Sequence, residues 1–245
     1  MMKELGVTLN AVAFLRESRK AKDPDPVMAA FLAEQAGADA INVHLRGDRR
    51  HIQERDVTLL RETVKTELNL VAAPSQELTR VALTVKPDRV TFVPERIEEV
   101  GGPLGVDVIL HSSQLRQLTR TLREGSIRCS VFIEPDPDQI REAHRIDADG
   151  VELSTETLVG AQGDDAVAQQ LQRISDGARL AEKFGMEVSA GNGLSLRNIP
   201  PLLGLQGLKR INVGYHLVAR SFVIGFENAV REMVNLVKQP TPPPR

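Results

Sequence analysis

The sequence predicts an α/β protein, a single-domain closed (β/α)8 TIM barrel. Three observations carry this. Short apolar runs rich in β-branched residues alternate with amphipathic helical segments from end to end. Eight such runs occur in the 245 residues, and neighbours start roughly 20 to 40 residues apart, the repeat of a βα unit. None is followed by the G-x-G-x-x-G turn of a dinucleotide-binding sheet, so an open doubly wound sheet, which periodicity does not exclude, ranks second.

The first strand is expected over Leu5–Leu9. Next, "DPDPVMAAFLAEQAG" supplies a helix with Asp25 as N-cap, Pro26 in the first turn and Gly37 as the stop. Its Val27, Ala30 and Phe31 fall on one face, which is expected to meet the core. The second strand, Ala40–His44, runs into "HLRGDRRHI". A helix with Val57, Leu60 and Val64 inward leads to the third strand, Leu68–Ala72. Leu78, Val81, Ala82 and Val85 mark another helix, which Lys86-Pro87 stops before the fourth strand, Arg89–Val93. The stretch from Pro94 to His111 is longer than an ordinary turn and reads as a lid or an extra element. Leu115, Leu118 and Leu122 give a helix ending at Gly125, followed by the fifth strand, Ile127–Ile133.

Asp136 and Pro137 start the helix "DPDQIREAHRI" ahead of the sixth strand, Gly150–Leu153. A longer helix near Ala166–Phe184 stops at Gly185 and precedes the seventh strand, Glu187–Ala190. The eighth strand, Arg210–Val213, is followed by a last helix that packs Phe226, Ala229, Val230, Met233 and Val237. The barrel is thus expected over residues 1–237, with the proline-rich tail 238–245 disordered.

Composition narrows the function. A net charge of −2 gives no general attraction to nucleic acid or anionic membrane, and one tyrosine with no tryptophan leaves no stacking platform for bases. The single Cys129 excludes an internal disulfide and a cysteine zinc site, and fits a reducing compartment. No apolar stretch suits a signal peptide or a membrane span, so a cytoplasmic protein is expected.

In such a barrel the working residues sit where strands end and βα loops begin. That rule yields Thr8, Asn10, Arg16 and Arg19 from the first strand, and His44, Arg46, Arg49, Arg50 and His51 from the second. Asn69 is the polar inward candidate on the third, Glu134 ends the fifth and Glu152 lies within the sixth. The loops after strands seven and eight, "AGNGLS" and "NVGYH", carry Gly191, Gly193 and Gly214, which let backbone N–H groups approach a phosphate. Arginine forks match phosphate in a bidentate way, and Arg46 is best placed to point into the mouth; Arg49, Arg50 and Arg55 read equally as a solvated face or a subunit contact. His44 has the titration range of a general acid or base. Glu152, in an apolar run, needs a partner if it faces inward. No motif has metal-ligand spacing, and Cys129 reads as a small core residue.

Together "DPDPVMAAFLAEQAGADAINVHLRGDRRHIQERDV", "TVKPDRVTFVPE", "SLRN" and "RINVG" resemble the pyridoxine 5′-phosphate synthase family of vitamin B6 biosynthesis, over nearly the whole chain. The resemblance implies a (β/α)8 barrel that assembles into an octamer. It implies condensation of deoxyxylulose phosphate with amino-acetone phosphate, release of water and inorganic phosphate, and no organic cofactor.

The family's three acid–base positions are a histidine opening "HLR", a glutamate in "NLE" and a histidine in "AGHGL". Here they are His44, Val71 and Asn192. Thr8, Asn10 and Ala11 stand where the family has an asparagine and an Asp-His pair, Gly101 where a threonine is expected, and Tyr215 where the second phosphate loop reads "GH". Arg19, Arg46, His51, Gly193 and Gly214 of the anion-holding set are present, as is Glu152.

Valine accepts no proton and asparagine does not titrate near neutrality. The first expectation is therefore a synthase-type enzyme with altered or much reduced ring closure, using His44 and Glu152 for acid–base work and Asn192 and Tyr215 as substrate contacts. The second is a barrel that binds a phosphorylated B6 vitamer without transforming it, and the third a structural partner of an intact paralogue.

Overall fold

The computed structural model describes residues 2–94 and 105–239. Eight parallel strands close on themselves in chain order, β1 beside β2 and so on until β8 pairs back with β1. The strands are β1 Glu4–Thr8, β2 Ala40–Leu45, β3 Glu67–Ala72, β4 Arg89–Phe92, β5 Arg128–Ile133, β6 Gly150–Ser154, β7 Glu187–Gly191 and β8 Arg210–Val213. Each lies within a residue or so of its sequence-based bounds, because a buried parallel strand reads as a near-continuous apolar run.

The helices are α1 Asn10–Ser18, α2 Pro26–Gln35, α3 Glu54–Thr63, α4 Gln76–Val85, α5 Ser112–Glu124 and α6 Pro137–Arg145. They continue with α7 Glu156–Val159, α8 Asp164–Lys183, α9 Pro200–Leu203, α10 Tyr215–Ile224 and α11 Phe226–Val237. Four of these, α1, α7, α9 and α10, are additions to the sequence-based elements. Asp25 caps α2 by accepting from the Val27 N–H, and Asp136 caps α6 through the N–H groups of Asp138 and Gln139. Phe31 departs from expectation: it is 55% exposed on the outer side of α2. The helix is apolar nearly all round, so its period does not single out a buried face.

Residues 95–104, which include Gly101 and most of the expected lid, lie outside the described residues, as do 240–245 of the expected tail. Lys238, by contrast, is held: its Nζ donates to the Gly37 carbonyl at 3.0 Å and meets Asp39 at 2.8 Å.

Two polar layers fill the barrel interior. At the N-terminal end, Glu67 accepts from Arg89, Arg128 and Arg210 at 3.0, 2.6 and 2.6 Å, and Arg210 also binds Glu4. Burial alone would raise the Glu67 carboxyl, but the hydrogen bond from Arg210 and the three guanidinium charges outweigh it and hold the group at about 2. Above this lies a chain of neutral groups: Thr91 donates to Asn69 at 2.9 Å, Asn69 to Asn42 at 3.0 Å, and Asn42 to Asn212 at 3.1 Å. Gly6 makes room for it, since a Cβ there would stand 2.1 Å from Asn212 Oδ1. Asn42 and Asn212 of this amide layer form the floor of a cavity at the C-terminal mouth.

Candidate active site

A cavity of about 700 Å³ opens above that floor, at the C-terminal mouth of the barrel. Asn42 and Asn212 rise into it from below, with Thr8 and Asn10 at the edge near β1. Its apolar lining is Val71, Val93, Phe132 and Leu194. Its polar lining includes His44, Arg46, Glu152, Glu156, Asn192 and the start of α10.

His44 is the next-to-last residue of β2, where its backbone N–H donates to Asn10 Oδ1 at 2.8 Å. Burial pushes its imidazole down to about 3, with help from the neighbouring His51 and Arg46. The ring is therefore neutral near pH 7. In the strand register His44 stands opposite Val71, so the position beside it on β3 carries no carboxylate.

Glu152 points inward from β6. Burial pushes its carboxyl up, and a hydrogen bond with Asn212 and the charges of Arg210 and Arg89 only partly offset this. Gly191 across the ladder lets it fit: a Cβ at that glycine would lie 2.3 Å from Glu152 Oε1.

The arginine-rich loop is tied down by its own acids. Arg46 forks onto Asp48 with both distances 3.0 Å, and Asp48 is held well below the usual carboxylate range by that pairing. Arg49 reaches Glu54 and Glu77 at 2.7 and 2.6 Å, fastening the loop to α3 and α4. Arg46 alone of the three loop arginines lines the cavity.

His51 and Arg19, both expected in the anion-holding set, are not among the cavity-lining residues described. His51 is buried beneath the loop, where its Nδ1 accepts from the Ile52 N–H at 2.8 Å and its carbonyl accepts from Arg16. Arg19 is exposed at the end of α1. Arg16 is buried in a two-pronged pair with Asp56 at 2.8 and 2.7 Å.

At the rim, Asn192 adopts φ +84°, a left-handed backbone that asparagine tolerates better than most side chains. Its amide donates to Glu156 Oε2 at 2.5 Å. Gly193 follows at φ +75°. Gly214 is the N-cap residue of α10 and lies close against Thr8, and the first turn of that helix, with Tyr215 and His216, opens onto the cavity.

Sequence reasoning missed Glu156, whose signal was a carboxylate directly after the polar end of β6. It also missed the inward Asn42 and Thr91, and it had Asn212 only as the first residue of "NVGYH" with no inward role. Among the described residues no group of three or more His, Cys, Asp or Glu is placed to hold a metal ion, and no helix is long and apolar enough to cross a membrane.

A closed parallel (β/α)8 barrel with a cavity at its C-terminal mouth defines the class. Solved structures share that fold at low identity. KGPDC from Streptococcus mutans matches with a TM-score of 0.64 at 11% identity, over 98% of this chain and 100% of that one. Phosphoribosylanthranilate isomerase from Thermotoga maritima matches at 0.58 and 13%, over 97% and 99%.

The family is specific. The chain belongs to the family described as pyridoxal phosphate biosynthesis protein PdxJ, whose model matches residues 5–239. It is 44% identical over 237 residues to pyridoxine 5′-phosphate synthase of Pelobacter propionicus, covering 97% of this chain and 99% of the other. It is also 44% identical over 236 residues to that of Thermosynechococcus vestitus, covering 96% and 99%. The protein is thus a pyridoxine 5′-phosphate synthase-like TIM barrel.

Proposed function

We propose that this barrel binds small phosphorylated substrates of the deoxyxylulose phosphate and amino-acetone phosphate type, with ring closure altered or much reduced. One observation carries the reading. Val71 and Asn192, at two of the three positions where the family resemblance puts proton carriers, face the same cavity as His44 and Glu152. A positioned acid or base typically contributes roughly 10²–10⁴ in rate, so losing two is costly even though such losses do not simply multiply.

The remaining groups have defined work. The first turn of α10, Gly193 and Arg46 hold phosphate, and inorganic phosphate is the simplest ligand of that set. Neutral His44 accepts a proton. Glu152, pushed toward its protonated form by burial, donates one or holds a substrate carbonyl. A bound phosphate beside Arg46 raises the basicity of His44 by countering the positive charge that depresses it.

We also read the chain as a homo-oligomer. Phe14 and Leu15 of α1, Met28 and Phe31 of α2, and Phe222 and Val223 of α10 are exposed apolar side chains on helices that pack side by side.

The test is turnover of purified protein with both substrates, read as pyridoxine 5′-phosphate fluorescence, beside calorimetric binding of inorganic phosphate. Slow product formation that disappears in His44→Ala while phosphate still binds supports the reading. Product at the same rate in His44→Ala would remove His44 from the mechanism. Phosphate binding without product would make the barrel a binding protein.

A further inference from the structure

We propose that Glu156 is an acid–base group of this site, supplied by the loop after β6 at the rim position where Asn192 cannot titrate. The proposal rests on the catalytic reading above.

Glu156 lines the cavity as the first residue of α7, and its placement is built rather than incidental. Thr155, which is fully buried, shares its one hydroxyl proton between the Gly191 carbonyl at 2.8 Å and the Asn192 carbonyl at 2.5 Å. Its backbone N–H adds a third bond to Gly191 at 2.9 Å. These bonds stitch the loop after β6 to the loop after β7. Asn192 then donates its amide to one oxygen of Glu156 and holds the carboxylate over the mouth. An imidazole at position 192 would itself carry the proton. An amide there orients a carboxylate that can do so, and the carboxylate keeps further lone pairs for a ligand proton.

The step fits a phosphorylated β-hydroxy ketone. Glu156 takes the proton from the carbon beside the carbonyl, forming a carboxylic O–H as that C–H bond breaks. The freed electron pair becomes a carbon–carbon double bond as the neighbouring hydroxyl leaves. The hydroxyl departs as water with the proton returned by Glu156, so the carboxylate is regenerated and the net change is loss of one water.

The decisive variant is Glu156→Gln, because its amide oxygen can still accept from Asn192 and preserve the clamp. Two readouts are needed: solvent deuterium exchange at the carbon beside the carbonyl of deoxyxylulose phosphate alone, followed by proton NMR, and product formation with both substrates. The expected result is that Glu156→Gln lowers both rates roughly 10²-fold or more. KM and the affinity for inorganic phosphate should stay within about twofold if binding and proton transfer are separate. Adding Asn192→His in the Glu156→Gln background should recover at least about tenfold of the lost rate, since an imidazole at 192 supplies the missing proton carrier.

Unchanged rates in Glu156→Gln would overturn this inference and leave the catalytic reading intact. Phosphate affinity falling in parallel with rate would make Glu156 a positioning residue only. Wild-type protein giving neither exchange nor product would defeat the catalytic reading and this inference together. Exchange without product, lost in Glu156→Gln, would keep the inference and confine the failure to ring closure.

Discussion

Val71→Glu puts a carboxylate beside His44, and the structure fixes the size of the effect. The two residues are opposite one another across the β2–β3 ladder, and both line the cavity. Side chains of neighbouring strands at matched register stand about 5 Å apart. At an effective dielectric constant near 20, unit charges at that separation attract by about 3 kcal/mol. That is worth about two pH units, so His44 should rise from about 3 to about 5. The assay is an NMR titration of the histidine ring resonances, assigned with His44→Gln, in wild type and variant at equal ionic strength. A rise below half a unit, in a folded variant, would mean that water screens the site or that the two side chains do not share it. A new carboxylate that stays protonated through the titration would refute the reasoning equally. In either case burial among positive neighbours, with no carboxylate at position 71, would be the wrong account of the low basicity of His44.

Asp56→Ala removes the two-pronged partner of the buried Arg16 guanidinium and leaves it only the half-buried Glu17, so it should cost about 3 kcal/mol; a melt should show a midpoint lower by roughly 10 °C. The pH dependence of stability has a definite sign. Because His44 titrates lower in the folded state than its ordinary 6.5, the unfolded chain binds more protons between the two values; stability is full above about 6.5 and falls toward 3. His44→Gln should flatten that acid limb in urea titrations between pH 4 and 7, and an unchanged slope would assign the limb to other groups. Glu152 works oppositely, its contribution being present at low pH and lost as pH rises through its raised folded value. Gly191→Ala should destabilise by about 1–3 kcal/mol through its clash with Glu152. Combining it with Glu152→Ala should recover at least about 1 kcal/mol in a double-mutant cycle.

What could be read from the sequence was local. Asp25, Asp136 and the apolar strand runs declare themselves within a few residues, which is why all eight strands and most helices were legible. Helix α1 starts at Leu9 with no side-chain cap, and α10 starts at Gly214 with none, so neither has the usual opening signal. Helices α7 and α9 are four residues each, too short to display a period.

The site was legible where a residue sits at the end of its own strand, as His44 and Asn192 do. It was hidden where a side chain matters through a distant partner. Asn42 and Asn212 meet across 170 positions, and only barrel closure brings them together. The clamp between Glu156 and Asn192 spans 36. Arg46 and Arg49 were visible as cations, but the sequence did not reveal that Asp48, Glu54 and Glu77 had already engaged them.

That division of labour explains how the mouth can change while the barrel stands. The buried ion pairs of Glu67 with Arg89 and Arg210 lie at the opposite end from the cavity, with the amide layer between. Val71 therefore lies outside the ion pairs that hold the barrel, and it leaves the buried His44 ring with no carboxylate at the paired position on β3. An asparagine at 192 keeps the left-handed turn and gains Glu156 as a partner. The ion pairs at the far end thus do not depend on the side chains at 71 and 192, although the left-handed backbone at 192 still restricts which residues fit there. The informative measurement at either is a proton-transfer rate, because a melting temperature would report the floor and the ion pairs instead.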